Sequence, residues 1–386
     1  WAALAAHTSI AIQQQVEILR LIYRGADVLI LDEPTAVLAP SQADDLITLL
    51  IELRNAGRTI VFISHKLDEV IRIADEITVM RAGHTVASLR ANEVDAAGLA
   101  GFIIGDSEVA TGRAARSVPG APVFSLDAVS ARDDRGFERL ANASITVHAH
   151  EIVGIAAVAG NGQEELAEAA IGVRRVSGGS IRLARLEGSK DTSDMDVTRL
   201  SVRERRRLGI TYVSADRKNE GLALTLPLSD NIIAGEQLRE LSRGGWLRRR
   251  AVAERVRATL ERATVRFGSA EDPASSLSGG NQQRVVLGRE SFGSPRVIIA
   301  SQPTRGVDVR GIGYIHELLR EAKDTGAAVL LFSEEIDELR ALSDRIVVLH
   351  RGVVVGSVPA GASRAEIGQL MLGTEHHAAA AEEGSE

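Results

Sequence analysis

The chain has 386 residues, of which 45% are hydrophobic and 25% charged, and its formal net charge is −7. This is the composition of a globular protein with room for one complete domain and part of another. The acidic balance argues against a nucleic acid or an anionic membrane surface as the main partner. The absence of cysteine excludes a disulfide framework and a thiolate metal site. No apolar run approaches the ~20 residues that a membrane span needs.

An internal repeat organises the sequence. Ser9 and Ser278 lie 269 residues apart (278 − 9), and the same offset pairs many further residues without a gap. Pro34, for example, pairs with Pro303. A fixed offset of this length indicates duplicated domains rather than a solenoid of short repeats.

The two copies have unequal lengths, which predicts the domain organisation. We expect the C-terminal part of a first copy at 1–104, a Ser/Gly/Ala/Pro-rich linker at 105–122, a second copy at 123–376 and a frayed tail at 377–386. Since the sequence opens on Trp1 rather than on methionine, we expect an N-terminally incomplete chain.

Strands and helices are predicted to alternate in both copies. Apolar runs at 28–31 and 59–63 indicate buried parallel strands, and leucines at helical spacing indicate a helix over 41–55 between them. The second copy repeats the order with runs at 297–299 and 328–332. The expected fold class is therefore α/β, with a doubly wound sheet that binds ligands at the carboxyl ends of its strands.

Two carboxylates follow the first strand of copy one. Asp32 can hold Mg²⁺ there, directly or through water, and Glu33 can orient or deprotonate an attacking water. Taken alone, such a pair is more often a solvated strand end. His65 ends the next strand and can project toward the same edge, which completes the set of groups that phosphoryl transfer to water requires.

A glycine-rich helix start in copy two predicts an anion site. It consists of Ser278, Gly279, Gly280, Asn281 and Gln282. A hydroxyl and bare glycine amides at a helix N-terminus bind anions, although a serine N-cap with a glycine-rich entry is a structural alternative. The motif lies 24 residues before the copy-two counterpart of the catalytic glutamate (302 − 278), which favours the functional interpretation.

These motifs carry a family resemblance that covers essentially the whole chain. LSGGNQQRVVLGRE, ILDEPT and a downstream SH strongly resemble the ATP-binding-cassette (ABC) ATPases. YRGADVLILDEPTAVLAP in copy one, and VAGNGQEEL, ADRKNEGL and QPTRGVDV in copy two, are similar to the tandem subunits of simple-sugar and nucleoside importers. The resemblance implies a P-loop NTPase-like sheet with a helical subdomain, in two tandem copies of which the first is truncated, with ATP and Mg²⁺ as cofactors.

The resemblance also implies partners and a location. Such a subunit lies at the cytoplasmic face of the cell membrane, binds permease subunits and works indirectly with a solute-binding protein, without nucleic acid. Two cassettes pair head to tail, and each ATP lies between the phosphate loop of one and the Ser-Gly-Gly signature of the other. Residues 228–262 match the helical subdomain that contacts the permease, and Asp308 matches the aspartate of the inter-cassette loop.

The phosphate loop of the family, GxxxxGK[ST], is missing from the sequence. In copy two its place is taken by Gly160, Asn161, Gly162 and Gln163, with Gln163 where the lysine should reach the phosphates. Glu164 stands where a hydroxyl should meet Mg²⁺. We therefore expect this loop to be structural or to bind nucleotide weakly.

The resemblance implies two composite sites, each built from parts of both copies. The departures from the family pattern all fall in one of them. One site would use the copy-two loop with Ser301, Gln302 and Glu334, and would face a copy-one signature in which Ala11 replaces a glycine. The other would combine the intact acids and histidine of copy one with the intact copy-two signature. Because the phosphate loop of that second site would precede Trp1, we expect this polypeptide alone to hydrolyse ATP negligibly.

Two other classes stay open beside the importer subunit: a soluble tandem cassette that acts on ribosomes or DNA, and an inactive truncated fragment. Among the smaller features, Phe137 either stacks on adenine or is an ordinary buried side chain. Two arginine-rich stretches are predicted to be solvated helix faces; they contain Arg203, Arg205, Arg206, Arg207 and Arg248–Arg250.

Overall fold

A computed structural model of the chain describes residues 10–35, 38, 40–64, 66–81, 84–95, 98–99, 102, 119–158, 160–185, 194–235, 241–243, 246–293, 295–307 and 309–373. These residues form two compact units: the first comprises the residues before 112 together with residues 309–310, and the second comprises the rest. The predicted tail and most of the predicted linker lie outside the described residues, so the domain bounds given above stay predictions.

The first unit combines a parallel strand pair with an antiparallel hairpin. Its elements are α1 (Ile10–Tyr23), β1 (Val28–Asp32), α2 (Pro40–Asn55), β2 (Thr59–Ile63), α3 (Leu67–Ile73), β3 (Glu76–Arg81) and β4 (His84–Arg90). β1 and β2 run parallel, which requires the crossover that α2 provides, and β3 pairs with β4 in the antiparallel sense.

One face of β1 is buried and the matching face of β2 is half-buried, whereas the opposite face of both strands is exposed. Leu29 and Leu31 of β1 pack with Leu46 and Leu50 of α2 in a small core. On the opposite face Ile30 is 67% exposed. The sequence predicted fully buried strands here, and that expectation is wrong for one face, because β1 alternates between buried and exposed positions along its length.

The second unit is larger and contains two sheets. Its strands are β5 (Pro122–Arg132), β6 (Glu138–His148), β7 (Glu151–Ala156), β8 (Val176–Leu183), β9 (Met195–Asp196), β10 (Ile210–Val213), β11 (Ser242–Arg243), β12 (Trp246–Leu247), β13 (Val297–Ser301), β14 (Ala328–Ser333), β15 (Arg345–His350) and β16 (Val353–Pro359). Its helices are α4 (Gln163–Ile171), α5 (Val202–Arg207), α6 (Leu228–Ile233), α7 (Arg249–Arg262), α8 (Gly279–Ser291), α9 (Val309–Asp324), α10 (Ile336–Leu342) and α11 (Arg364–Leu372).

The main sheet of this unit has the order β10-β13-β14-β7-β15-β16 in the described residues, and its strands run parallel except for β16. A second, antiparallel sheet has the order β6-β5-β8-β9. A core of apolar side chains from both sheets and from α4 lies on one face of the main sheet, and a second core lies under the remaining helices. Every residue of β7 and β14 is buried, which explains their continuous apolar sequence.

The sequence repeat is also a structural repeat. β13 begins 269 residues after β1 (297 − 28), and α9, β14, α10, β15 and β16 follow their copy-one counterparts at the same offset. The strand register is equal as well, since Val28 lies opposite Thr59 and Val297 opposite Ala328. The predicted α/β alternation is thus confirmed. No helix in the described ranges is both long and apolar enough to cross a bilayer.

Candidate functional site

The strand-end acids of the first unit lie at the carboxyl edge of the β1–β2 pair. Asp32 is the last residue of β1, lies opposite Ile63 and is exposed. Glu33 is half-buried, and its backbone N–H donates to the carbonyl of Ile63 at 2.8 Å. Its φ of 45° lies in the left-handed region, which side chains other than glycine seldom adopt. This turn fixes where both carboxylates leave the sheet.

The segment that follows these acids is tied to α3. Thr35 is 1% exposed, and its hydroxyl donates to Glu69 Oε2 at 2.6 Å. The other carboxylate oxygen of Glu69 lies 3.9 Å from Lys66 Nζ. The segment that ends at Thr35 and the start of α3 are therefore held together. His65 itself lies outside the described residues.

The second unit shows how the two catalytic positions relate. Gln302, the counterpart of Glu33, has a φ of 46° and donates its backbone N–H to Phe332 O at 2.8 Å, so the turn is the same. Its side-chain oxygen accepts a hydrogen bond from the backbone N–H of Glu334 at 3.4 Å. Glu334 is the counterpart of His65. The two strand ends therefore bring these positions into contact in copy two.

The signature motif forms the start of α8, which begins at Gly279. Ser278 is the N-cap with an extended backbone, and in the described structure its hydroxyl makes no capping bond. That hydroxyl instead accepts from Asn281 Nδ2 at 3.1 Å. The first-turn amides of Gly279 and Gly280 point out of the helix, as expected of an anion-binding N-terminus. Gln282 is 6% exposed and donates to backbone carbonyls, so its side chain holds the motif in place.

Arg217 lies beside the start of this helix, a contact that the sequence did not predict. A Cβ added to Gly279 would lie 2.6 Å from Arg217 Nη2, so a larger residue there would require the guanidinium to shift. Arg217 Nη1 donates to Arg305 O at 2.8 Å, which ties the loop after β13 to the same guanidinium. Burial, and then the positive charge of Arg305, lowers the pKa of Arg217. The ADRKNEGL motif was the signal that could have indicated this residue.

The hydrogen-bonding groups of the copy-two loop are engaged within the loop and with the turn between β15 and β16. The backbone N–H of Asn161 donates to Val158 O at 3.1 Å and to Gln163 Oε1 at 3.0 Å. The side-chain oxygen of Asn161 accepts from Arg351 N at 2.7 Å, and its carbonyl accepts from Gly352 N at 3.0 Å. The side chain at the lysine position thus caps an amide that would otherwise face a phosphate.

Packing also explains a loop glycine. Gly162 has a φ of 97°, and a Cβ there would lie 2.4 Å from Arg139 O. Gly160 has a φ of 83° and is exposed. The glycines of this loop therefore serve its turns and its packing on β6, which is a structural use that needs no nucleotide.

The surroundings of the loop do not fit a magnesium–triphosphate group. Partial burial, and then the negative charges of Glu165, Glu168 and Glu220, raises the pKa of Glu164. Ser301 occupies the metal-binding position at the end of β13. Its hydroxyl is a neutral ligand, whereas Mg²⁺ sites are built on carboxylates. Copy two therefore lacks both the lysine that would neutralise the phosphates and the carboxylate that would bind Mg²⁺.

Asp32 in the first unit fits a magnesium ion better. Among the described residues, no group of three or more His, Cys, Asp or Glu side chains is arranged to hold a metal. Mg²⁺ in nucleotide sites is usually held by one or two protein ligands together with phosphates and water. An exposed carboxylate at a strand end meets that requirement.

Three further expectations have outcomes. Asp308 lies outside the described residues. Phe137 is 63% exposed in the β5–β6 turn, so the interpretation of it as a buried side chain is wrong. Arg205 is 1% exposed, and Arg206 pairs with the buried Glu290 at 2.8 Å, so these two arginines are not a solvated helix face.

Proteins of one family are similar to this chain in sequence. The family model described as ABC transporter matches residues 140–305. The nucleoside import ATP-binding protein NupA of Lactococcus lactis is 38% identical over 373 residues, which are 96% of this chain and 72% of that protein. The chain belongs to the ATP-binding proteins of ABC transporters. The predicted resemblance is thereby confirmed.

Other ATP-binding proteins of the ABC family are similar to this chain over nearly its whole length. The guanosine import ATP-binding protein NupO of Bacillus subtilis is 38% identical over 96% of this chain and 72% of its own length. The glucose import ATP-binding protein TsgD13 of Haloferax volcanii is 41% identical over 94% of this chain and 65% of its own. A nucleotide-free ATP-binding cassette superposes with a TM-score of 0.52 at 20% identity, covering 64% of this chain and 94% of that one, which confirms the fold.

Proposed function

We propose that the chain is the ATP-binding subunit that energises import of a nucleoside or simple sugar through a membrane permease. The observation that carries this proposal is the 38% identity with a nucleoside import ATP-binding protein over 96% of the chain. The strand-end acids of the first unit and the intact signature of the second support it.

Hydrolysis would use the acids of the first unit together with the signature of the second. Asp32 would hold Mg²⁺, which when bound neutralises charge on the β- and γ-phosphates. Glu33 would orient and deprotonate the attacking water, and His65 would stabilise the transferred phosphoryl group. The amides at Gly279 and Gly280 would bind the γ-phosphate of an ATP, with Ser278, Asn281 and Gln282 shaping that helix start.

The copy-two loop would be structural in this scheme. Gln163 caps the loop's own amide, and the carboxylates around Glu164 repel a triphosphate. The strand-end turn of copy two has the same backbone conformation as that of copy one, although Gln302 replaces the catalytic glutamate. This is expected of a site that retains its structure but is inactive. Turnover would therefore occur at one site per chain.

The site that uses the copy-one acids and the copy-two signature would need a phosphate loop that this sequence does not contain. The exposed face of β1 and β2 supports this part of the proposal. Ile30 and Val61 are 67% and 46% exposed, whereas their copy-two counterparts Ile299 and Leu330 are both 0% exposed. In copy two the antiparallel sheet and α4 cover these positions, and the loop directly precedes α4. A layer of the same kind would cover the first unit.

The proposed partners follow from the family. The permease would bind the helical subdomain around α6 and α7, and the subunit would lie at the cytoplasmic face of the membrane as a peripheral protein. A solute-binding protein would deliver the solute to the permease, without contact with this chain. Asp308 would be the aspartate of the inter-cassette loop.

Uptake of radiolabelled nucleosides and simple sugars by cells that carry Glu33→Gln at the chromosomal locus tests the proposal. We expect the uptake rate to fall by ~10²–10⁴, because the substitution removes a positioned base. Gln302→Ala at the corresponding copy-two position is the matched control and should leave uptake near the wild-type rate. Unchanged uptake in the Glu33→Gln cells would refute the function. Separately, an ATPase activity of the purified chain that vanished in Glu33→Gln would refute the need for an external loop.

A further inference from the structure

A basic and aromatic tip projects from the second unit. It consists of β12 and the first turn of α7, residues Trp246–Arg250. Trp246 is 83% exposed and Leu247 is 47% exposed. Both are large apolar side chains that the fold leaves in water, which is unusual for two consecutive residues.

Three consecutive arginines follow this apolar pair. Arg248, Arg249 and Arg250 are all exposed, and the first turn of α7 contains no acidic residue. Cations at a helix N-terminus oppose the helix dipole, so local stability does not explain them. Among the described residues, Arg250 pairs with Glu254 at 3.2 Å, and neither Arg248 nor Arg249 has an ion-pair partner. The tip is thus locally positive on a chain of net charge −7.

The arginines also line an open recess. Its volume is ≈ 460 Å³, and Ala251 and Glu254 complete its walls. A recess of this size with guanidinium groups around it can hold a phosphate-containing headgroup, since guanidinium binds phosphate oxygens in pairs.

We propose that residues Trp246–Arg250 bind anionic lipid headgroups at a membrane surface. The indole of Trp246 and the side chain of Leu247 would enter the headgroup region, where tryptophan is favoured because one part of its ring is apolar and the other polar. Arg248 and Arg249 would contact lipid phosphates and carboxylates beside it. This inference does not depend on the proposed transport function, because bare lipid vesicles contain no permease.

An acidic protein surface is the competing partner, and the observations favour lipid. The apolar pair is exposed, whereas recognition of a protein anchor usually takes an apolar groove. The acidic balance of the chain argues against a membrane as the main partner. The tip would therefore add a local contact to an assembly held chiefly by other surfaces.

Tryptophan fluorescence in the presence of vesicles tests the inference. The sequence contains two tryptophans, so a Trp1→Phe background leaves Trp246 as the single reporter. We expect its emission to shift to the blue on phosphatidylserine-containing vesicles and not on pure phosphatidylcholine. The shift should weaken as salt is added. Soluble glycerophosphoserine should give no shift, because it offers the phosphate without an apolar phase.

Arginine variants separate this site from general charge attraction. Arg248→Gln with Arg249→Gln should lower the vesicle partition coefficient about 25-fold, from about fivefold for each arginine. The matched control is Arg203→Gln with Arg207→Gln on α5, which removes the same charge elsewhere and should change partitioning less than twofold. Thermal unfolding of each variant verifies that it folds. An unshifted emission, or an equal loss in both double variants, would overturn the proposal. So would a shift seen only with permease-containing membranes.

Discussion

Glu33 and Gln302 adopt the same left-handed backbone conformation, with φ values of 45° and 46°. Their side chains have different chemistry, since copy two lacks the acid. In both, the backbone N–H reaches the neighbouring strand at 2.8 Å. That hydrogen bond recurs where the chemistry is lost, so we infer that the turn, and not catalysis, maintains the strain. A left-handed residue with a Cβ costs ~1–2 kcal/mol.

Gln302 allows this cost to be measured without touching the proposed catalytic residues. Gln302→Gly should be more stable than Gln302→Ala by about 1 kcal/mol, because glycine adopts the left-handed region without a Cβ clash. Both variants lose the same weak side-chain contact with Glu334, so the comparison isolates the backbone. Urea unfolding of the two proteins gives the difference. Equal midpoints would mean that the turn is not strained.

Glu164 gives the protein a pH-dependent stability term. Partial burial and the neighbouring carboxylates raise its pKa above the ordinary value of a glutamate. The folded state therefore binds a proton more readily than the unfolded state, and this group lowers stability as the pH rises through its folded pKa. Glu164→Gln should raise Tm at pH 7, by about 1–2 °C, and should give no gain at pH values below 4.5. Calorimetry at both pH values, with Glu317→Gln as an exposed control, measures this; a gain that is equal at both would contradict it.

At the scale of elements, a buried arginine fixes the C-terminus of α4. Arg205 Nη1 donates to the carbonyls of Ala169 and Ala170, each at 2.7 Å, and so satisfies groups that a helix end leaves free. Its other nitrogens donate to Thr198 O and Leu200 O. Burial lowers the pKa of Arg205 to about 10, so the side chain remains charged at neutral pH.

Arg205→Ala should destabilise the second unit by about 3–5 kcal/mol, because it removes hydrogen bonds to four carbonyls, two of them buried, and opens a cavity. Arg203→Ala on the same helix is the matched control. Arg203 is exposed, so its removal should change stability by no more than ~0.5 kcal/mol. Urea unfolding of both variants compares them. A loss below 1 kcal/mol for Arg205→Ala would show that the carbonyls find water instead.

The contrast between these two arginines shows where sequence reasoning succeeded and where it stopped. The 269-residue offset located β13, α9 and β14 because duplicated sequences fold alike. The run around Arg205 gave no such guide. An arginine is usually exposed, and only the tertiary contact with the end of α4 makes its burial favourable. The same limit applied to the exposed face of β1, since an apolar run predicts a buried strand regardless of what covers it.

In the candidate site, too, some features were predicted from the sequence and others depend on tertiary contacts. The positions of Asp32 and Glu33 followed from the strand pattern, because acids after a buried parallel strand must lie at its carboxyl edge. The self-capping of the copy-two loop did not. Gln163 was recognised as a missing lysine, but its bond to the Asn161 amide depends on the loop conformation. Arg217 was missed because its partners lie 62 and 88 residues away in sequence (279 − 217 and 305 − 217).

At the scale of the whole molecule, the two units differ in how much apolar surface they bury. The first unit has two small cores and an exposed strand face, whereas the second encloses its main sheet on both sides. We expect calorimetry to resolve two unfolding transitions, with the first unit unfolding at the lower temperature, since stability scales with buried apolar area.

Matched leucines of the repeat assign the transitions. Leu50 and its copy-two counterpart Leu319 are both 0% exposed, and replacing a buried leucine with alanine costs about 2–5 kcal/mol. Leu50→Ala should lower the first transition by about 10 °C or more and leave the second in place. Leu319→Ala should lower the second, by a smaller number of degrees because the larger unit has the larger unfolding entropy. A single transition that both substitutions shift would mean that the units unfold as one cooperative body.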